Sequence, residues 1–208
     1  MALVGKLHQQ MVFSRRTKVL AQRILDVLPA DCKTMLDVGC GDGTIDNLIL
    51  QDNPRLAITG VDVLVRPNVR FPVQAFDGIQ LPFVDKSFDV VLFVDVLHHT
   101  DDPMVLLREA LRVAKSAILL KDHMRDGAFA YTTLRFMDWV GNAHHNVVLP
   151  YNYWRRSQWM RAFETLGLSI GHWNERLGLY PPPASLVFER KLHFVAQLAL
   201  DAGSQHAR

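Results

Sequence analysis

The chain has 208 residues, 49% of them hydrophobic and 21% charged, with a formal net charge of +2. That balance fits one globular domain with a substantial core, and it offers no argument for a nucleic-acid or membrane surface. Cys32 and Cys40 build no disulfide framework, and no stretch nears the roughly 18 apolar residues of a membrane span or opens the chain with a signal-peptide core, so a reduced cytoplasmic setting is expected.

Residues 3–28 predict a helix, because Leu20, Ile24, Leu25 and Leu28 recur at helical spacing and Pro29 stops the run. Its basic residues (Lys6, Arg15, Arg16, Lys18, Arg23) read as a solvated face, and the helix either packs or covers one side of a ligand site. Thr34 to Val38 reads as a buried parallel strand with one carboxylate, Asp37. Gly39, Gly41 and Gly43 follow at every second position, and Thr44 to Leu50 reads as a short amphipathic helix. Strand, glycine turn and helix form the opening of a nucleotide-binding βαβ unit, with helix N–H groups offered to something negative.

Leu56 to Val63 predicts a second strand ending in Asp62. An acid about twenty residues beyond the turn suits a bidentate hydrogen bond to ribose hydroxyls. Phe71 to Phe76 predicts a third strand, followed by Asp77-Gly78, and Phe88 to Val96 a fourth, followed by Leu97-His98-His99. Asp101-Asp102-Pro103 opens a helix to about Val113, and Ala117 to Lys121 predicts the fifth strand, ending in Asp122-His123. Residues 124–157 are rich in aromatic and histidine residues, with a helix expected over 128–140 and the rest read as lid, pocket wall and small local core. Ser157 to Leu166 predicts a helix with Ser157 as N-cap and Gly167 at its end. Leu168 to Leu177 reads as strand six, Tyr180 to Ala184 as a stiff proline loop, His193 to Leu200 as the last strand, and the tail from Asp201 as disordered.

The stretch Leu36-Asp37-Val38-Gly39-Cys40-Gly41-Asp42-Gly43 resembles motif I of the class I S-adenosylmethionine-dependent methyltransferases. Residues 77–89 (Asp77, then Leu81-Pro82-Phe83, Asp85 and Ser87-Phe88-Asp89) resemble the D-x-x-x-L-P-F-x-D-x-S-F-D segment of that class's common small-molecule family. The resemblance implies an α/β, Rossmann-like, seven-stranded sheet, mostly parallel with an antiparallel last strand and helices on both faces. It implies one domain over 1–208 with 124–157 as a substrate-side insertion, S-adenosylmethionine as cofactor, and a small-molecule methyl acceptor. For the cofactor it points to Asp37 near the ammonium end, the backbone of Gly39, Gly41 and Gly43, Asp62 with Val63 at the ribose, and Asp77 with Phe76 or Gly78 at the adenine. Phe93, Val94, Asp95 and His98, at the end of the fourth strand, would border the methionine part and the acceptor. Over 124–157 the resemblance runs out, and there His144, Tyr151, Tyr153 and Trp154 are read as acceptor-side residues from the aromatic and histidine richness of the stretch. The chain departs from the family where Arg112-Val113-Ala114-Lys115-Ser116 lacks the usual P-G-G.

Methyl transfer from a sulfonium is a displacement at carbon, so a base is needed only for a protonated acceptor. His98 and His123, at strand ends, are the candidates, ahead of His99, His144 and His145, and adjacent histidines are expected to point apart. The spacings suggest no metal-ligand set. Three alternatives stay open. An NAD(P)-dependent oxidoreductase would share the turn and Asp62 but not the segment at Asp77. A methyltransferase for RNA or protein would want a basic stripe or an N-P-P-Y-like tetrapeptide. A non-catalytic protein of the same fold would bind the cofactor without turnover.

Overall fold

A computed structural model describes residues 2–142 and 150–200, with side chains for 14–141 and 150–200. In chain order the elements are α1 (Ala2–Val27), β1 (Thr34–Val38), α2 (Thr44–Asp52), β2 (Ala57–Asp62), β3 (Val73–Ala75), β4 (Phe88–Val94), α3 (Pro103–Val113), β5 (Ala114–His123), α4 (Ala130–Asn142), α5 (Arg156–Thr165), β6 (Leu168–Asn174), α6 (Ser185–Phe188) and β7 (His193–Leu200). The strands make one seven-stranded sheet in the order β3-β2-β1-β4-β5-β7-β6. β1 pairs in parallel with β2 and β4, β4 pairs in parallel with β5, and β7 runs antiparallel to both β5 and β6. The expected α/β, Rossmann-like architecture is therefore present.

Alternation along the strands supplies a core on each face. Val91 and Phe93 of β4 and Ile118 and Leu120 of β5 pack with Leu106 and Leu107 of α3 and Trp159 and Phe163 of α5. Val90, Leu92, Ala117 and Leu119 face the other way, onto Leu20, Ala21 and Ile24 of α1 and Ile49 of α2. Burying each such side chain contributes about 2 kcal/mol. Among the described residues no helix is long and apolar enough to cross a membrane.

Several predicted boundaries move. α3 passes into β5 with no intervening residue, so β5 begins at Ala114 rather than Ala117, and Ala114 pairs with Phe88. That direct join is the physical counterpart of the absent P-G-G. β3 is confined to Val73–Ala75, and β6 ends at Asn174 rather than Leu177. α5 is capped by Arg155, not Ser157: the Arg155 N–H donates to Gln158 Oε1, closing a capping box. Gly167 sits just past that helix at φ +64, as a helix-ending glycine should. The tail expected to be disordered lies outside the described residues.

Parallel strands β1 and β4 are neighbours while β2 lies on the far side of β1. The chain's winding reverses between them, and a crevice opens at the carboxyl ends of such strands. Asp37, Asp62, Asp95, Asp122 and His123 all lie at that edge.

Candidate active site

The glycine turn covers the end of β1. Gly39, Gly41 and Gly43 all have φ between +61 and +78, a region open to glycine at little cost. Gly39 N–H donates to Val61 O at 2.7 Å, which folds the turn over β2. Asp62 Oδ2 accepts from Gly41 N–H at 2.8 Å and its Oδ1 from Leu64 N–H at 2.9 Å. The carboxylate is thus fixed at the lip of the turn with further lone pairs for a diol. Asp77 Oδ1 accepts from the N–H groups of Ile79 and Gln80, both at 2.8 Å, and these bonds hold the carboxyl below its usual range. Val63 is largely exposed beside it, and Gly78 lies so close to Val63 that an added Cβ would stand 3.1 Å away.

Beneath the turn, Asp37 and Asp46 face each other in the interior. Burial, then the Asp46 charge, pushes Asp37 well above the carboxylate range. Burial pushes Asp46 up to about 6, with its neighbour Asp37 lowering it. Asp37 Oδ1 and both Asp46 carboxyl oxygens are buried without a hydrogen-bond partner among the described residues.

The segment resembling the family's adenine-side motif proves to be largely a structural clamp. The Arg112 guanidinium donates to Phe83 O at 2.7 Å and Leu81 O at 3.0 Å, and pairs with Asp85 and Glu109. Asp89 accepts from the N–H groups of Lys33 and Thr34 and from Lys115. These contacts fix the approach to β4 rather than touch the crevice.

At the ends of β4 and β5 a polar cluster is buried. Asp95 has φ +58, a left-handed conformation rare for a residue with a Cβ and a mark of local strain. Its carboxylate contacts the Lys121 ammonium and accepts from the Arg16 guanidinium at 2.5 Å. Burial would raise Asp95, but Lys121, His123 and Arg16 hold it well below the carboxylate range. Lys121 is fully buried, and desolvation lowers it despite Asp95. His98 Nδ1 lies 2.7 Å from Asp122 Oδ1, and its Nε2 lies 3.4 Å from Asp138 Oδ2. Burial opposes a charge on His98, yet Asp122 and Asp138 push it up to about 10. His99 is held down to about 4 by burial and the His98 charge. His123 is held well below the usual histidine range by burial and Lys121; its Nε2 lies 3.3 Å from Asp95 and its Nδ1 has no hydrogen-bond partner. The Tyr153 hydroxyl donates to Asp138 at 2.5 Å, and its ring stacks on His98.

The cluster gathers predicted residues His98, His123, Asp95 and Tyr153. His98 and His99 do not point apart: their ring centroids are 4.0 Å apart, because a 3-10 turn over Leu97–His99 replaces extended backbone. Tyr151 stands beside Tyr153 beneath the Arg135 guanidinium. Trp154 packs on Trp159, on the α5 side. Phe93 is wholly inside the core, Val94 is half-buried, and Phe76 packs against the core from the edge. His144 and His145 lie outside the described residues. Arg16 is no part of a solvated face; it reaches from α1 to Asp95, so that helix both packs and closes one side of the cluster.

Sequence reasoning passed over Arg16, Asp46, Lys121, Asp122, Asp138 and His193, the last with its Nδ1 3.4 Å from Lys121 Nζ. Two signals were available. Lys121 interrupts the apolar run Ala117 to Leu120, where a buried charge requires a partner. Asp138 is the lone acid of α4, among aromatic residues.

Residues 36–119 match the family described as a methyltransferase domain. A 142-residue stretch, 64% of this chain and 39% of the relative, is 30% identical to the 2-methyl-6-phytyl-1,4-hydroquinone methyltransferase of Synechocystis sp.. A stretch of 88 residues, 37% of this chain and 29% of the relative, is 35% identical to the tRNA U34 carboxymethyltransferase of Nautilia profundicola. The matches thus span about two fifths or less of these relatives' lengths. Among solved structures, an S-adenosylmethionine-dependent methyltransferase from Mesorhizobium loti superposes with a TM-score of 0.62 at 16% identity, covering 86% of this chain and 96% of that one. Residues 36–119 thus match a methyltransferase-domain family, and the chain shares its fold with the S-adenosylmethionine-dependent methyltransferase from Mesorhizobium loti.

Proposed function

We propose that this protein transfers a methyl group from S-adenosylmethionine to a small-molecule acceptor. The observation that carries the reading is Asp62, fixed at the lip of a three-glycine turn on the crevice edge of a parallel sheet. In this reading Asp62 and Val63 take the ribose. Asp77, flanked by Gly78 and Phe76, takes the adenine amino group. Gly39, Gly41 and Gly43 bring backbone against the methionine portion, and Asp37 lies under its ammonium. Val94 and the Phe93 backbone border the sulfonium. The quinol methyltransferase relative and the net charge of +2 favour a small acceptor. The tRNA-modifying relative supports a nucleic-acid acceptor as the second reading. Residues 124–157 are read as the acceptor-side insertion of a single domain over 1–208, with Tyr151 and Tyr153 on that side, and the two free cysteines suit a reducing cytoplasm.

The transfer needs the acceptor atom in line with the methyl carbon and water excluded. Where the acceptor carries a proton, His123 is the base: Nε2–H points to Asp95 and the unpartnered Nδ1 receives the proton. His98, gripped by Asp122, positions the ring beside it.

Calorimetric titration tests the cofactor assignment. S-adenosylmethionine and S-adenosylhomocysteine bind saturably to the parent chain, and Asp62→Ala reduces the affinity at least tenfold; unchanged binding in that variant overturns the site. For an acceptor with a titratable proton, His123→Gln lowers kcat by about a hundredfold, the typical scale of a lost general base. Cofactor affinity stays within about twofold in that variant, and an unaltered kcat removes His123 from the chemistry.

A further inference from the structure

The environment of His98 is built for more than a hydrogen bond. Its ring is almost wholly buried, with Asp122 on Nδ1 and Asp138 opposite Nε2. Asp122 is itself immobilised: its Oδ2 accepts from Leu97 N–H at 3.0 Å and its Oδ1 from His123 N–H at 2.7 Å. A carboxylate on one ring nitrogen fixes the ring's orientation, the usual support behind a metal-bound histidine, and a metal ion at the other nitrogen takes the place of its proton. That other nitrogen, Nε2, meets no hydrogen-bond geometry, and neither does the Nδ1 of neighbouring His99. The 3.4 Å from Nε2 to Asp138 Oδ2 is long for a charge-assisted bond, normally about 2.7–2.9 Å. It equals the edge, about 3.3–3.4 Å, of a tetrahedron drawn around a cation with bonds of about 2.0–2.1 Å. The ligand atoms of His98, His99 and Asp138 all lie within 4.8 Å of one another.

We propose that His98 Nε2, His99 Nδ1 and an Asp138 oxygen form a binding site for a divalent first-row transition metal ion of the zinc class. Two imidazoles and one carboxylate suit such an ion better than magnesium or calcium, which prefer all-oxygen shells. Asp122 and Asp138 together carry two negative charges to set against it. Asp95, His98 and His123 also converge. Asp95, however, already has Lys121 and Arg16 against it, so a metal ion there would meet two cations. Three protein ligands leave a fourth position open, as in sites that do chemistry rather than hold structure. Use of that position by an acceptor atom rests on the methyl-transfer reading; occupancy by the metal does not.

The test uses the full chain stripped with a chelator. Co²⁺ is titrated in and followed by its visible ligand-field bands, then displaced with Zn²⁺, and metal content is measured after dialysis. The expected result is one ion per chain with tetrahedral band intensity, displaced by zinc. His99→Gln, at a half-buried position, and Asp138→Asn, which keeps an acceptor for Tyr153, each weaken binding at least tenfold. Circular dichroism and S-adenosylmethionine titration on the same samples report the fold and the cofactor site separately. Failure of the parent to retain an ion overturns the metal site even where the cofactor binds. So does undiminished binding by both variants, since the ion then sits elsewhere.

Discussion

Asp46 is held in a conflict between burial and charge. Its carboxyl is almost completely excluded from water, and the charge that adds to the burial cost is another carboxylate, Asp42. Its folded value of about 6 lies above the unfolded value of about 3.9, so folding favours the protonated form. That contribution is complete below about pH 4 and is lost as pH rises through about 6. Replacing Asp46 with Asn should therefore raise the melting temperature at pH 7.5, by the equivalent of about 2–3 kcal/mol, and leave it almost unchanged at pH 4. If Asp37 and Asp46 underlie the cofactor's ammonium, the same variant binds S-adenosylmethionine more weakly while folding more stably. Calorimetry at the two pH values, followed by titration, reads both signs; a variant destabilised at pH 7.5 would contradict the assigned burial cost. Nothing in sequence separates Asp46 from an ordinary first-turn acid of a helix, whereas Asp62 was legible because its role depends on position relative to the glycine turn.

Elements were legible wherever local chemistry decides them. β1 needed only four apolar or β-branched residues around one carboxylate and a glycine stop, and it spans Thr34–Val38 as expected. The N-terminus of α3 was readable from Asp102 and Pro103, and the Asp102 carboxylate accepts from Met104 N–H at 2.9 Å. Boundaries failed where the deciding partner is distant in sequence, as with β5, extended to Ala114 by pairing with Phe88. The turn before α2 combines both kinds of control. Gly43 has φ +73, and a Cβ there would stand 2.3 Å from the Phe71 ring. Gly43→Ala should cost about 1–3 kcal/mol in urea unfolding and at least tenfold in cofactor affinity. Adding Phe71→Ala should restore part of the stability by removing the clash but not the backbone strain; no recovery would mean that strain alone carries the loss.

At the scale of the whole molecule, the cofactor half of the crevice was readable and the acceptor half was not. The first is assembled from strand ends within the segment 36–77, each announced by glycine or acid. The second joins Arg16 of α1, Asp95 after β4, His98 on its 3-10 turn, Lys121 to His123 of β5, Asp138 of α4 and Tyr153. Its members are spread over more than a hundred residues, so no spacing rule could list them. The aromatic richness of 124–157 likewise divides only in three dimensions. Leu134 and Tyr153 close a small core with Ala130 and Leu192, while Phe129, Phe136 and Trp139 remain on the outside.

The seamless passage from α3 into β5 has a consequence for how this chain can vary. A strand presents alternate residues to opposite faces, so its parity is counted from the point where it starts. Here that count begins at the last helical residue, Val113, with no slack to absorb an extra one. One glycine inserted between Val113 and Ala114 must either be looped out at a join that has no loop or be passed down the strand. In the second case Leu120 and Asp122 would exchange faces with Lys121 and His123, and a lysine would be driven into the apolar layer beneath α3 and α5. Such an insertion should abolish cooperative thermal unfolding, whereas the same glycine placed in the exposed stretch between β2 and β3 should be tolerated. The junction is thus a phase marker for half the crevice, and length there is under tighter physical control than sequence.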